Sequence, residues 1–328
     1  LLDLPGRIWF DRQVTDSFFR WWVVHVWGEG VWELIMGGIL SFLLIKLTGV
    51  DREVIEKWLY VIVGLTFLSG VLGTGHHYYY IGVNKIWLVV GGIFSALEPL
   101  AFLAMALFAV NMYRKGEKSH PNKIALFWTI GSAIVSFVGA GLLGFAHTLP
   151  QTNLYTHGTL VTAMHGHYAF WGAYAMIVLA IISYALPNLT GRKRYESTQG
   201  MAAFWLSNVG MLGMTVAFGV AGVAQVYMER KMKMDFMDVQ NEISIHFVVL
   251  LICATMFTTG IGLFIYDFVK YGRPTDEALE SDNQGHRVDE YKIDGHKIEN
   301  LTGTSELCDT FELHETQRNR IIIKIYKE

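Results

Sequence analysis

The stretch F-F-R-W-W-V-V-H-V-W-G-E-G-V-W-E-L-I-M-G-G-I-L-S-F-L-L-I-K-L, Phe18 to Leu47, decides the fold. It is predominantly apolar over more than the ~20 residues that cross a bilayer, so it reads as a spanning helix. Within it His25, Glu29 and Glu33 recur at every fourth position and share one helix face at about 100° per residue. Ionisable side chains inside a span are costly and are functional candidates by default. One segment therefore points both to a membrane bundle and to a polar site inside it.

Six further apolar runs follow: Val54–Ile81, Ile86–Met112, Ile124–Phe145, Thr156–Leu186, Ala202–Tyr227 and Ile243–Val269. Of the 328 residues 52% are hydrophobic and 17% charged, well below the roughly 25% charge of soluble domains. Backbone polar groups in lipid must bond within their own segment, so the fold class expected is all-α, a polytopic transmembrane helical bundle. Gly139-Ala140-Gly141 and Gly219–Gly222 suit close helix–helix contact. A net charge of -3 gives no reason to expect nucleic acid as a partner. The two cysteines, Cys253 and Cys308, make neither a disulfide framework nor a C-x-x-C-H haem attachment site.

The chain divides into an outer-side segment (1–16), a transmembrane catalytic bundle (17–271) and a polar tail (272–328). The tail has no spanning run and little patterning, so it is expected to be a poorly ordered cytoplasmic extension. The first residue is Leu1 and no signal peptide precedes the first apolar run, which reads as a truncated N-terminus. Basic residues set the orientation. The loops after the first, third and fifth runs hold Lys46, Arg52 and Lys57; Arg114, Lys115, Lys118 and Lys123; and Arg192, Lys193 and Arg194, with Lys270 and Arg273 after the seventh. The other side has Arg7, Arg12, Arg20, Lys85, Arg230, Lys231 and Lys233. The first side is the richer and is assigned to the cytoplasm.

That topology brings polar residues of four segments to a similar depth in the outer part of the membrane. They are His25 with Glu29 and Glu33, the pair His76-His77, Glu98, and His165 with His167. A histidine and a carboxylate one turn apart can ligate one metal. His76 and His77 diverge by about 100° on a helix, so one ion takes both only where the backbone loosens, and Gly73 and Gly75 precede them. His165 and His167 point about 200° apart and cannot easily share an ion, but each could hold a haem iron.

Simpler readings exist for each residue alone. An intramembrane histidine is more often bonded to a neighbouring helix than to a metal. Glu33 could be a buried acid bonded to a hydroxyl, and Glu98 before Pro99 could bond carbonyls freed by the proline. Trp27, Trp32 and Tyr78-Tyr79-Tyr80 read as packing or interfacial belt. His147 and His157 read as membrane-surface residues, and His120 as solvated. The shared depth of five histidines is what the simpler account does not explain.

The motifs H-V-W-G-E-G-V-W-E (His25–Glu33), G-T-G-H-H (Gly73–His77), S-A-L-E-P-L (Ser95–Leu100), Y-T-H-G-T (Tyr155–Thr159) and H-G-H-Y-A-F-W-G-A-Y (His165–Tyr174) closely resemble the large subunit of bacterial nitric oxide reductases. These belong to the haem-copper oxidase superfamily. The resemblance extends through L-T-G-V-D-R-E-V-I-E-K-W-L-Y (Leu47–Tyr60) and covers Leu1 to about Val269. It implies that the seven spans match the last seven of a twelve-span fold in the bacterial inner membrane.

By that resemblance His25, His76 and His77 would ligate a non-haem iron, with Glu29 as carboxylate ligand. His165 would hold a high-spin haem b facing that iron, and His167 a low-spin haem b. Glu33 and Glu98 would be acids near the dinuclear site that deliver protons or tune its charge, and His157 would lie near the haem propionates. Oxygen-reducing relatives carry a tyrosine four residues after the first metal histidine, where this chain has Glu29. The activity implied is 2 NO + 2 H⁺ + 2 e⁻ → N₂O + H₂O, with a cytochrome c subunit or quinol as electron donor. The alternatives are an oxygen-reducing terminal oxidase and a haem-binding bundle without catalysis. The second axial ligand of the low-spin haem is expected on an early span that this chain lacks, so the missing N-terminal spans count among its expected partners.

Overall fold

A computed structural model describes residues 13–50, 52–115, 122–189 and 198–271, together with the backbone of five strands between 292 and 326. Two units result, 1–273 and 274–328. The first holds seven helices long and apolar enough to cross a membrane: Gln13–Thr48, Glu53–Tyr78, Ile86–Lys115, Lys123–Thr148, Leu160–Pro187, Thr198–Lys231 and Ser244–Lys270. Each overlaps its expected run. The unit is all-α, a multi-pass membrane bundle. Its first helix starts at Gln13, ahead of the boundary at 17. Arg7, Arg12, Lys118, His120, Arg192–Arg194 and Arg273, invoked for orientation or as solvated, lie outside the described residues.

Local chemistry sets the helix ends. Gly49 ends the first span in the left-handed region (φ 67°), its N–H returning to the Ile45 carbonyl, a conformation that costs glycine little. The Asn122 side chain caps the fourth span by accepting the Ala125 N–H at 3.0 Å. Thr159, after Gly158 at φ 71°, caps the fifth through the Val161 N–H.

The core lies among the first, third, fourth and fifth spans. Met36, Leu40, Leu43 and Leu44 meet Met105, Phe108, Trp128 and Met176, all fully buried. In lipid no hydrophobic force draws helices together, so dispersion packing at small residues does that work. A Cβ on Gly172 would stand 2.5 Å from the Ser136 nitrogen, and one on Gly139 2.6 Å from the Ala169 nitrogen, so the fourth and fifth spans touch backbone to backbone.

The first five spans are each interrupted. Widened π turns occupy Val26–Val31, Phe137–Leu143 and Trp171–Met176, a 3₁₀ segment occupies Gly73–Tyr78, and the third span breaks between Ser95 and Glu98. Irregular backbone at membrane depth survives only when buried in protein or lining a cavity. These breaks gather around the site described below.

The tail, for which composition suggested no regular element, carries five short strands. They are β1 (Lys292–Ile293), β2 (His296–Lys297), β3 (Asn300–Thr304), β4 (Cys308–Glu315) and β5 (Asn319–Tyr326). β1 pairs with β2, and β3-β4-β5 form an antiparallel meander in which Phe311 faces Ile323. The β-branched run Ile321-Ile322-Ile323 supplies the strand preference. It is too short to cross a membrane.

The seventh span leans on the sixth and only 11% of its most apolar window is buried. Their contact runs through Gly210 and Gly260, where a Cβ would stand 2.6 Å from the Phe257 nitrogen and 2.5 Å from the Ser207 nitrogen. Gly262, two residues on, has open space. Gly260→Leu is expected to cost about 1–3 kcal/mol by overpacking and to lower the melting temperature in detergent, whereas Gly262→Leu leaves it unchanged. Equal melting temperatures for both variants would contradict this packing.

Candidate metal centre

His25, Glu29, His76 and His77 converge, each offering one ligand atom within 4.8 Å of the others. Glu29 Oε2 lies 2.8 Å from His25 Nε2 and 3.5 Å from His76 Nε2, and Oε1 lies 3.3 Å from His77 Nε2. The Nε2 atoms of His76 and His77 are 3.0 Å apart. The four residues that the resemblance implies as ligands, two on the first span and two on the second, are therefore together, His25 being turned toward the pair rather than away.

Two close helix contacts make this possible. A Cβ on Gly70 would stand 2.5 Å from Gly30 Cα, so the first two spans meet backbone to backbone beside His25 and Glu29. One on Gly75 would collide with the Trp87 carbonyl oxygen and with Gly91, which seats the loosened Gly73–Tyr78 turn on the third span. The loosening anticipated from Gly73 and Gly75 takes the form of this 3₁₀ turn.

The hydrogen bonds define which nitrogens carry protons. His25 Nδ1 lies 2.9 Å from the Gly70 carbonyl oxygen, which can only accept, so Nδ1 carries the hydrogen. Ser95 Oγ donates to the Gly73 carbonyl at 3.0 Å and must accept from His76 Nδ1 at 2.6 Å. In neutral imidazoles so held, the Nε2 lone pairs of His25 and His76 face the cluster, the arrangement that metal-binding histidines use. His77 is steadied by Trp21, whose ring stacks on it at 4.8 Å and 7°. Three nitrogen donors and one carboxylate suit a transition-metal ion, and the hard oxygen favours iron over copper.

Across a cavity of about 270 Å³ lie His165 and Glu98. His165 Nδ1 donates to the Gly139 carbonyl at 2.9 Å, leaving Nε2 free as a ligand. His167 is on the other face of the fifth span, exposed, its Nδ1 bonded to the Ala163 carbonyl at 2.8 Å and its ring beside Phe218. The opposed directions expected of the two histidines are therefore present. Glu98 is buried and lines the cavity rather than only capping a proline break. Glu33 is buried one turn beyond Glu29, and its Oε2 has no hydrogen-bond partner among the described residues. His157 is exposed at the cavity, 4.5 Å from the Tyr80 ring.

His147, read as a membrane-surface residue one position before the end of the fourth span, also reaches the site. Its ring stacks on His165 at 5.2 Å and its Nε2 is buried without a partner among the described residues. No spacing rule links it to His165, because the contact depends on how the fourth span packs on the fifth. The donor chemistry of His165 fits a haem, and Gly144 puts no side chain against its ring. Tyr79 also moves from belt to site: its hydroxyl donates to the Thr148 carbonyl and it lines the same cavity.

Comparison with known proteins bears on this geometry. The model of the family described as cytochrome c and quinol oxidase polypeptide I matches residues 7–256. The B subunit of nitric oxide reductase from Stutzerimonas stutzeri is 48% identical over 266 residues, which is 79% of this chain and 56% of that protein. The chain thus spans about half the length of this curated relative.

Ser95 can be tested without touching a ligand. Ser95→Ala removes the acceptor that orients His76 and is expected to weaken metal binding about 10–100-fold, measured by competition with a chelator of known affinity. Unchanged affinity would show that the tautomer of His76 is set by something else.

Proposed function

Because the chain belongs to the cytochrome c and quinol oxidase polypeptide I family, we propose that its bundle reduces nitric oxide to nitrous oxide at an iron held by His25, Glu29, His76 and His77 and facing a haem on His165. The observation that carries this reading is the Glu29 carboxylate in contact with all three imidazoles. Where oxygen-reducing relatives have a tyrosine tied to the first metal histidine, this chain supplies an oxygen ligand. The name of the Stutzerimonas stutzeri relative supports the same substrate.

His25, His76 and His77 would supply the nitrogen ligands and Glu29 the oxygen ligand; His165 would hold the facing haem b and His167 a second, low-spin one. When bound, the paired irons would supply two electrons and hold two nitric oxide molecules side by side, which lowers the barrier to joining them. The protein's own residues shape the rest. The cavity at Glu98 and Tyr79 leaves room for a diatomic molecule. Glu98 and Glu33 are buried carboxyl groups near the cluster, able to hold a proton at a carboxyl oxygen, and Glu98, which lines the cavity, would pass it on there. The balance is two protons and two electrons for two nitric oxide molecules, giving nitrous oxide and water. Protons would arrive from the outer face of a bacterial inner membrane, so no charge need cross it. Electrons would come from a cytochrome c subunit or from quinol, and His157 would sit near the haem propionates.

In the complete enzyme, Glu29→Ala is expected to reduce nitric oxide consumption and nitrous oxide formation to background, with haem absorption retained. An electrode for nitric oxide and gas chromatography for nitrous oxide make the measurement. Turnover at the wild-type rate would remove Glu29 from the mechanism. Oxygen consumption without nitrous oxide from the wild type would make the protein a terminal oxidase instead.

A further inference from the structure

Two widened turns face each other across the first and fifth spans, Val26–Val31 and Trp171–Met176. In the first, the Trp32 N–H reaches back to the Trp27 carbonyl. In an α-helix that N–H would bond the Gly28 carbonyl, four residues back. The Gly28 oxygen instead accepts the Tyr174 hydroxyl from the fifth span at 2.8 Å. The exchange is mutual: the Trp32 indole N–H donates to the Ala173 carbonyl at 3.0 Å, within the second widened turn. The two rings that carry these donors stack at 4.8 Å and 5°. Each helix thus lends a side-chain donor to a carbonyl in the widened turn of the other, where a bare carbonyl in the bundle would be penalised.

Gly28 immediately precedes Glu29, whose carboxylate touches the three imidazoles. We propose that Tyr174 and Trp32 form a positioning clamp that holds the first span's widened turn open and thereby fixes the Glu29 carboxylate on the metal cluster. Tyr174 touches neither substrate nor metal in this role; it acts through the Gly28–Glu29 peptide. Without its hydroxyl, the Gly28 carbonyl regains a partner only if the Trp32 N–H returns to it. That tightening rotates the Glu29 peptide relative to His25, which the Gly70 carbonyl pins in place. The clamp also explains why an aromatic pair here has its polar atoms turned to backbone rather than to solvent.

The inference rests on the proposed iron site, and its test separates the two. In the complete enzyme loaded with ⁵⁷Fe, Tyr174→Phe keeps the ring stack and removes only the hydroxyl. Expected are a fall in iron affinity at the cluster of about 10–100-fold, the usual scale for an outer partner of a metal site, a changed Mössbauer quadrupole splitting of the non-haem iron, and faster amide exchange over 26–33. Trp171→Phe is the control. It removes an indole N–H that bonds Asn208 Oδ1 on the sixth span and leaves both clamp hydrogen bonds in place, so it should lower the melting temperature while leaving the iron signature intact. A Tyr174→Phe protein with wild-type iron affinity and splitting would overturn the clamp, as would the same spectral change in Trp171→Phe. A wild type that binds no iron at the cluster would instead overturn the functional reading, and the clamp with it.

Discussion

Three imidazoles aimed at one point, with a carboxylate among them, form an arrangement suited to a shared cation. His25 and His76 each spend the Nδ1 proton on a fixed acceptor, the Gly70 carbonyl and the Ser95 hydroxyl. Their Nε2 atoms then face inward, and His76 Nε2 meets His77 Nε2 at 3.0 Å. In a medium of low dielectric, such a gathering of lone pairs and negative charge is repulsive unless a proton or a metal ion is shared among the donors. The surrounding backbone is arranged to sustain that gathering.

Ordinary α-helices would not do so easily. Gly70 against Gly30 and Gly75 against Gly91 let the first three spans approach until backbones touch, and the 3₁₀ turn at Gly73–Tyr78 lets consecutive histidines reach the same carboxylate, that of Glu29. Each break in a helix leaves polar groups that lipid cannot satisfy, at roughly 2–7 kcal/mol for an unbonded amide moved from water to an apolar medium. The structure meets that cost with donors from neighbouring helices: Tyr174 to Gly28, Trp32 to Ala173, His165 to Gly139 and Ser132 to Gly172. Several residues that prepare the site are the same ones that mend the bundle around it.

Much of this was legible in the sequence. Length and hydropathy reveal the spans because crossing lipid demands long, predominantly apolar runs. The four-residue spacing of His25 and Glu29, and the two-residue spacing of His165 and His167, translate directly into a shared face and opposed faces. Other features had no such signal. The widened turns at Val26–Val31 and Trp171–Met176 had no signal, since one extra residue in a turn leaves the composition of a mostly apolar run unchanged. His147 reaches His165 only through the packing of two spans, and Tyr174 reaches Gly28 from a residue far along the chain. The strands of the tail were missed because their short β-branched run lies in an otherwise polar segment, where composition was the only guide.

The central claim is that one iron sits among His25, Glu29, His76 and His77. Anomalous diffraction from crystals of the complete enzyme, collected on either side of the iron and copper absorption edges, tests it most directly. The account predicts an iron peak within bonding distance of all three Nε2 atoms and a Glu29 oxygen, and a second iron peak next to His165. A copper peak at the first position, or none there while the second is present, would contradict it.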